Sequence, residues 1–180
     1  KLPLPPFVLV DDLTGGLAPN RSKLLVRAGG LEVPDELGLY QIESPHEKPL
    51  LVSPLLSEDL QVTLNTKQDP QAMFALQAVK QPTGISWEPQ STQALFTAAL
   101  HGKASNIYLY TPADGSVDRL TVRFQQAFSP RFSPSGQRFL FQEADTLNNP
   151  KIWDPSMVAS LSLANPDRVV YLYEPPVESL

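Results

Sequence analysis

The sequence predicts an all-β chain made of four-stranded antiparallel sheets set side by side, and three observations carry that expectation. First, apolar or alternating runs of strand length recur at spacings of roughly ten residues, with turn signals between them. Second, 19 of the 180 residues are proline, about twice the usual frequency. Most of these stand between short apolar runs, as in Ser44-Pro45, Ser53-Pro54, Thr111-Pro112 and Glu174-Pro175-Pro176. Proline has no N–H to give to a ladder, so it settles at strand ends and turns. Third, three decapeptides align without a gap: Leu17-Ala18-Pro19-Asn20-Arg21-Ser22-Lys23-Leu24-Leu25-Val26, Trp87-Glu88-Pro89-Gln90-Ser91-Thr92-Gln93-Ala94-Leu95-Phe96 and Phe132-Ser133-Pro134-Ser135-Gly136-Gln137-Arg138-Phe139-Leu140-Phe141. Each reads large apolar, any residue, Pro, a short polar turn, then three apolar positions. A repeat decides architecture before single residues can.

Taken in order, the runs fall into repeated units. Phe7-Val8-Leu9-Val10 follows the proline-rich Leu2-Pro3-Leu4-Pro5-Pro6, and residues 1–14 read as a strap with a strand able to close the last unit. The first unit, residues 15–53, places strands at 16–18, 23–28, 37–43 and 49–53. The middle unit, residues 84–122, places them at 85–87, 94–100, 106–110 and 117–122. The last, residues 127–174, places them at 127–132, 138–143, 157–163 and 168–173. Ala113-Asp114-Gly115-Ser116 is the strongest hairpin signal, because Asp-Gly accepts the positive φ angles of a tight primed turn. Pro45-His46-Glu47-Lys48 and Pro134-Ser135-Gly136-Gln137 are looser versions. Residues 54–83 hold two further runs, Leu60-Gln61-Val62-Thr63-Leu64 and Met73-Phe74-Ala75-Leu76, expected as an extra hairpin that is either a degenerate unit or an insertion. Residues 71–80 fit a helix equally well, since Ala72, Phe74, Leu76 and Val79 mix both periods between Pro70 and Pro82.

A four-stranded antiparallel meander of about 40 to 45 residues is the blade of a β-propeller, so the predicted fold is a small or partial β-propeller. The run from Phe132 to Phe141 resembles the "WSPDGk-lay" element of the TolB-like, PD40 (WD40-like) propeller repeats. Asn106-Ile107-Tyr108-Leu109-Tyr110, then Asp114-Gly115, then Arg119-Leu120-Thr121 is similar to that family's "diyv-d-dgg-rrLT" second half. The resemblance is fullest over residues 85–143, lesser over 16–53 and least over 144–173. Ser135 and Gln90 stand where the family has Asp, and the turn glycine survives only at Gly136. Leu17, Trp87 and Phe132 are expected to face a neighbouring blade, each contributing roughly 1.5–3 kcal/mol by burial. The triplets Leu24-Leu25-Val26, Ala94-Leu95-Phe96 and Phe139-Leu140-Phe141 are apolar on both faces, as strands sandwiched between blades require. A β-sandwich with coincidental proline turns is the alternative. Three clear blades fall below the roughly four to eight of a closed ring, so closure needs residues 54–83, further copies or a larger complex.

Composition narrows the function. With 42% hydrophobic residues the chain can bury a core. The formal charge is -5 and the 14 Lys and Arg are scattered, which argues against nucleic acid and against an anionic membrane surface. No run approaches the roughly 18 apolar residues of a spanning helix. Without cysteine there is no disulfide, thiolate zinc site or thiol nucleophile. The first residue is Lys1 rather than Met, which reads as a processed or trimmed end. His46 and His101 lack the spaced partners of a metal site, and no Gly-x-Ser-x-Gly turn is present. Asp11-Asp12, Glu58-Asp59 and the group Glu32, Asp35, Glu36 match no calcium loop and read as solvated loop charge. Gly15-Gly16 and Gly29-Gly30 lack the Lys or helix of a phosphate loop. No catalytic residue, cofactor or metal ligand is therefore assigned.

A long connection in the last unit, Asp145-Thr146-Leu147-Asn148-Asn149-Pro150-Lys151-Ile152-Trp153-Asp154-Pro155, holds the candidate protein contact: Lys151, Ile152 and Trp153. Loops carry function, and Trp is enriched at interface hot spots. The expected role is a non-catalytic scaffold that binds a protein partner or itself within a larger assembly. The resemblance implies an extracytoplasmic setting, periplasmic or equivalent. It also implies two alternatives: a propeller associated with a prolyl-oligopeptidase-type serine peptidase, and a propeller whose channel binds a small ligand or sugar.

Overall fold

A computed structural model of the chain describes residues 13–29, 37–44, 46–66, 69–122, 126–144, 157–162 and 165–173. The elements follow as α1 (Leu13–Gly16), β1 (Leu24–Ala28), β2 (Gly38–Ile42), β3 (Leu50–Pro54), α2 (Glu58–Thr66), α3 (Pro70–Val79), β4 (Ile85–Trp87), β5 (Ala94–His101), β6 (Ala104–Thr111), β7 (Ser116–Arg119), β8 (Gln126–Phe132), β9 (Arg138–Ala144), β10 (Met157–Ser162) and β11 (Asn165–Tyr173). They form three antiparallel meanders: a three-stranded sheet β1-β2-β3, and four-stranded sheets β4-β5-β6-β7 and β8-β9-β10-β11. The strand expected at 16–18 is reduced to a single antiparallel bridge, Leu17 to Leu24. The short helical turn α1 runs into that segment and leaves no length for a strand.

The three decapeptides adopt one hairpin. Their first and eighth residues pair across the strands as Leu17 with Leu24, Trp87 with Ala94 and Phe132 with Phe139. Ala18, Glu88 and Ser133 donate backbone N–H to the carbonyls of Lys23, Gln93 and Arg138 at 2.9, 2.9 and 2.8 Å. Arg21, Ser91 and Gly136 donate to Ala18, Glu88 and Ser133 at 2.8, 2.9 and 2.9 Å. These fifth residues all sit in the left-handed region, with φ of 60°, 64° and 72°. Asn20 Oδ1 and Ser135 Oγ accept the N–H two residues on, at 2.9 and 3.4 Å, standing in for the family's Asp. The turns of neighbouring units also touch. Asn20 N donates to Ser91 Oγ at 3.1 Å, and a Cβ on Gly136 would meet Glu88 Oε1 at 2.9 Å.

Residues 58–66 and 70–79 are helical: the extra hairpin is not formed, and of the two readings of residues 71–80 the helix is the one observed. The five-residue alternation from Leu60 to Leu64 points the wrong way, because only Leu60 is buried in α2 while Val62 is exposed. Local start signals override it. Ser57 Oγ accepts Leu60 N at 3.2 Å, and Glu58 and Asp59 follow in the first turn, where carboxylates suit the helix dipole. Asp69 caps α3, accepting Gln71 N at 3.0 Å and Ala72 N at 3.1 Å, with Pro70 in the first turn. Ala72, Phe74, Ala75, Ala78 and Val79 then bury one face.

The core lies between the sheets. One cluster joins Leu25 and Leu39 of the first sheet, Leu60 and Val79 of the helices, and Trp87, Phe96 and Tyr108 of the middle sheet. A second joins Leu95 and Ile107 of the middle sheet to Phe139 and Phe141 of the third. Successive residues of β5 thus serve opposite faces, and both faces are covered, as the apolar triplet requires.

Two outcomes follow. Gly115 and Gly136 share nearly the same φ, 74° and 72°, so alanine at either carries a backbone penalty of about 1 kcal/mol. A Cβ at Gly115 meets nothing within 4 Å, whereas at Gly136 it crowds Glu88. Gly136→Ala should therefore cost up to about 1 kcal/mol more in urea unfolding; equal losses would mean that the two turns do not touch. Asp69 is held below the ordinary carboxylate range, chiefly by its hydrogen bond from Lys103 and then by the amide of Ala72. Its contribution is present above the unfolded-state pKa and is lost as pH falls through the lowered folded value. Asp69→Ala should cost about 1 kcal/mol at pH 7, and the gap from wild type should close below pH ~4.

Candidate functional site

The inner edges of the three units meet along a cleft of about 300 Å³ lined by Gly15, Leu17, Pro19, Ser86, Trp87 and Arg131. Two glycines permit the close approach. A Cβ on Gly15 would stand 2.7 Å from the Ile85 carbonyl, and one on Gly16 would stand 2.2 Å from that of Leu25. The buried Trp87 then donates its indole Nε1–H to Gly16 O at 2.7 Å, tying the middle sheet to the first unit. On the other side, β8 carries a bulge: its register shifts between Phe128 and Arg131, with Ser129 at φ 54° and Pro130 unable to donate. Bulges re-aim side chains. Here Arg131 Nη1 reaches Ile85 O at 2.9 Å, and Phe132 N donates to Ser86 Oγ at 3.1 Å. Arg131 is half-buried, and Ile85 O is the partner its guanidinium has among the described residues.

The residues singled out in the sequence scatter away from this cleft. His46 is exposed beyond β2, and His101 is exposed at the end of β5, where Nδ1 lies 2.9 Å from Tyr108 Oη. Burial pushes the Tyr108 phenol up, with nearby Arg119 opposing. Glu58 and Asp59 are first-turn residues of α2 rather than loop charge. Gly15-Gly16 serves close packing. Among the described residues no group of three or more His, Asp or Glu could hold a metal ion. Asp11, Asp12, Glu32, Asp35, Glu36, the strand at Phe7-Val8-Leu9-Val10 and the candidate contact Lys151, Ile152 and Trp153 lie outside the described residues. Trp87 is buried and Phe132 half-buried against the second cluster, but Leu17 is 43% exposed, because no described sheet lies beyond it. Sequence reasoning missed Arg131 and Ser86. The available signal was Pro130 inside a strand, which marks a bulge.

Among solved structures, TolB from Acinetobacter baumannii superposes with a TM-score of 0.56 at 17% identity, over 90% of this chain and 33% of that one. A TolB candidate from Agrobacterium tumefaciens gives 0.56 at 15% identity, over 89% of this chain and 48% of that one. The chain shares the fold of part of these TolB structures. It spans between a third and a half of these TolB structures. A puromycin-hydrolysing peptidase from Mycobacterium tuberculosis also superposes, with a TM-score of 0.52 at 12% identity, over 85% of this chain and 19% of that one. No family model matches the chain, and no curated protein matches it in sequence. The cleft runs along β4 and β8, the first edge strands of the second and third sheets, and the bridge at Leu17.

Trp87→Phe keeps an aromatic ring in the core but removes the N–H that Gly16 O accepts together with part of the buried indole's volume. It should cost at least about 1 kcal/mol in urea unfolding, the lost bond and the cavity adding; an unchanged midpoint would show that this bond does not tie the two units.

Proposed function

We propose that this chain is an arc of a propeller scaffold that holds other proteins within a larger assembly. The supporting observation is the state of its two end faces. The ninth residue of each repeat is leucine: Leu25 faces the middle sheet at 1% exposure, Leu95 faces the third at 0%, and Leu140 is 38% exposed. At the opposite end Leu17 is exposed where its equivalent Trp87 is buried. The side chains that join sheet to sheet inside the stack are thus repeated at both ends, where they face solvent. Further sheets would cover them, as the greater length of the TolB structures suggests. In this reading the chain does no chemistry of its own and works outside the cytoplasm, as TolB-like proteins do. No helix among the described residues is long and apolar enough to cross a membrane.

The peptidase likeness supports a second reading, a propeller that accompanies a hydrolase. Both are tested together. Light scattering of the purified chain should show concentration-dependent association that Leu17→Glu combined with Leu140→Glu abolishes. Capture from native extract should retain a partner that Trp153→Ala releases without loss of folding. A partner labelled by a fluorophosphonate probe selects the hydrolase reading. A chain that stays monomeric at every concentration and retains nothing removes the scaffold.

A further inference from the structure

We infer that the inner-strand cleft is a carboxylate site, with Arg131 and Ser86 as its donors and Leu17, Pro19 and Trp87 as its apolar wall. A guanidinium offers five N–H groups in a fixed fork matched to a carboxylate. Arg131 gives Nη1 to Ile85 O at 2.9 Å, which anchors the group and leaves the rest of the fork uncommitted among the described residues. Among those residues no carboxylate pairs with this half-buried cation, and an entering anion relieves the cost of its burial. Ser86 is buried beside it. Its oxygen already accepts the Phe132 N–H at 3.1 Å, so its own proton remains to donate. The Trp87 N–H points to Gly16 O and does not compete. Gly15 keeps the approach open, since even a Cβ there would come within 3.5 Å of Arg131 Nη1.

The same residues set the class of ligand. One guanidinium and one hydroxyl balance a single negative charge, which suits a carboxylate better than a phosphate dianion. Leu17 and Pro19, both exposed at the mouth, favour a carboxylate carrying an aliphatic group. The volume of about 300 Å³ lies at the small end of ligand sites, enough for one residue-sized group. The inference shares only the wall residue Leu17 with the scaffold reading, and its donors Arg131 and Ser86 take no part in that reading; a free small acid and the C-terminus of a peptide present the same chemistry to them.

The test uses the full chain and three probes: 4-methylvalerate, N-acetyl-Gly-Leu with a free carboxylate, and the C-terminal amide of that dipeptide. Calorimetry should give binding of both acids, with the amide at least about tenfold weaker. Arg131→Gln, which keeps a polar side chain but removes the guanidinium, should weaken the acids at least about tenfold, and Ser86→Ala about three- to tenfold. A dipeptide tighter than 4-methylvalerate assigns the site to a peptide terminus; the reverse order assigns it to a free acid. Equal binding of acid and amide, an Arg131→Gln variant that binds as wild type does, or no acid bound at about 10 mM would overturn the site. If Arg131→Gln fails to fold, amide and indole NMR shifts of Ser86 and Trp87 in the wild-type chain decide. Perturbation there on adding acid supports the site, and perturbation only elsewhere removes it.

Discussion

Everything in this structure depends on the middle sheet being buried on both faces. Ala94, Phe96 and Ala98 of β5 belong to the cluster shared with the first sheet, while Leu95 belongs to the cluster shared with the third. On β6, Tyr108 and Tyr110 lie with the first cluster, and Ile107 and Leu109 with the second. Phe96 and Tyr108 stack with centroids 5.6 Å apart. A sheet patterned this way cannot stay dry against one neighbour alone, since each large side chain left in water forfeits roughly 1.5–3 kcal/mol. Two partners are required, one per face. The stacking of the three sheets follows from that demand more than from any single contact.

Burial has no direction, so polar contacts set how the sheets meet. Trp87 to Gly16, Arg131 to Ile85 and Phe132 to Ser86 tie the inner edges, and Tyr110 Oη donates to Gln41 Oε1 at 2.9 Å between the first two sheets. Arg27 on β1 belongs to the same set. Its side chain is 1% exposed, and its guanidinium donates to the carbonyls of Val79 and Gln81 at the end of α3. A cation there satisfies carbonyls that the helix leaves free and lies at the negative end of its dipole. A Cβ on Gly84 would press on that guanidinium at 2.6 Å. The helical connection is therefore bolted to the first sheet at the point where the chain enters the middle one. The same connection reaches the middle sheet earlier, through the parallel bridge of Leu56 with Ala99.

How far the sequence could be read depended on the range of the forces involved. The hairpin of each decapeptide is local, so turn chemistry and apolar triplets were enough to mark it; that Arg21 and Ser91 share the left-handed fifth position with Gly136 was not legible, because only Gly136 carries a glycine there. The two helices were local as well, but their signals are caps rather than periods. Ser57 followed by two acids and Asp69 followed by Pro70 outweigh a five-residue alternation that happened to mimic a strand. The fates of Leu17 and Leu140 were not legible, because identical repeat positions differ only in how many sheets stand beside them. Arg131 was hidden for another reason. Nothing in its own residue type separates it from a surface arginine; the bulge at Ser129 and Pro130 carries it to Ile85. Its place as a candidate site residue is a consequence of strand geometry.

The second half of the repeat motif has a physical reason that joins these levels. Strand β7 ends at Arg119, while β6 extends back to Ala104, so the outer edge of Ser105, Asn106 and Ile107 has no strand to pair with. Side chains take that place. Leu120 N still donates to Ile107 O at 2.9 Å, and Thr121 Oγ1 then accepts Ile107 N at 2.8 Å, as a backbone carbonyl would. Asn106 Oδ1 receives Thr121 Oγ1 at 3.4 Å and Arg119 Nη2 at 3.2 Å. Gln126, at the start of β8, accepts Ser105 N at 2.8 Å and donates to Lys103 O at 3.0 Å. Ser105, Asn106, Thr121 and Gln126 are all fully buried, where an unpaired backbone donor would be costly. Arg119, Thr121 and Gln126 thus close the edge of β6 beyond the end of β7, and Gln126 does so from the first strand of the third sheet. A bare edge at that point would leave buried N–H and C=O groups unpaired where the middle sheet meets its second neighbour.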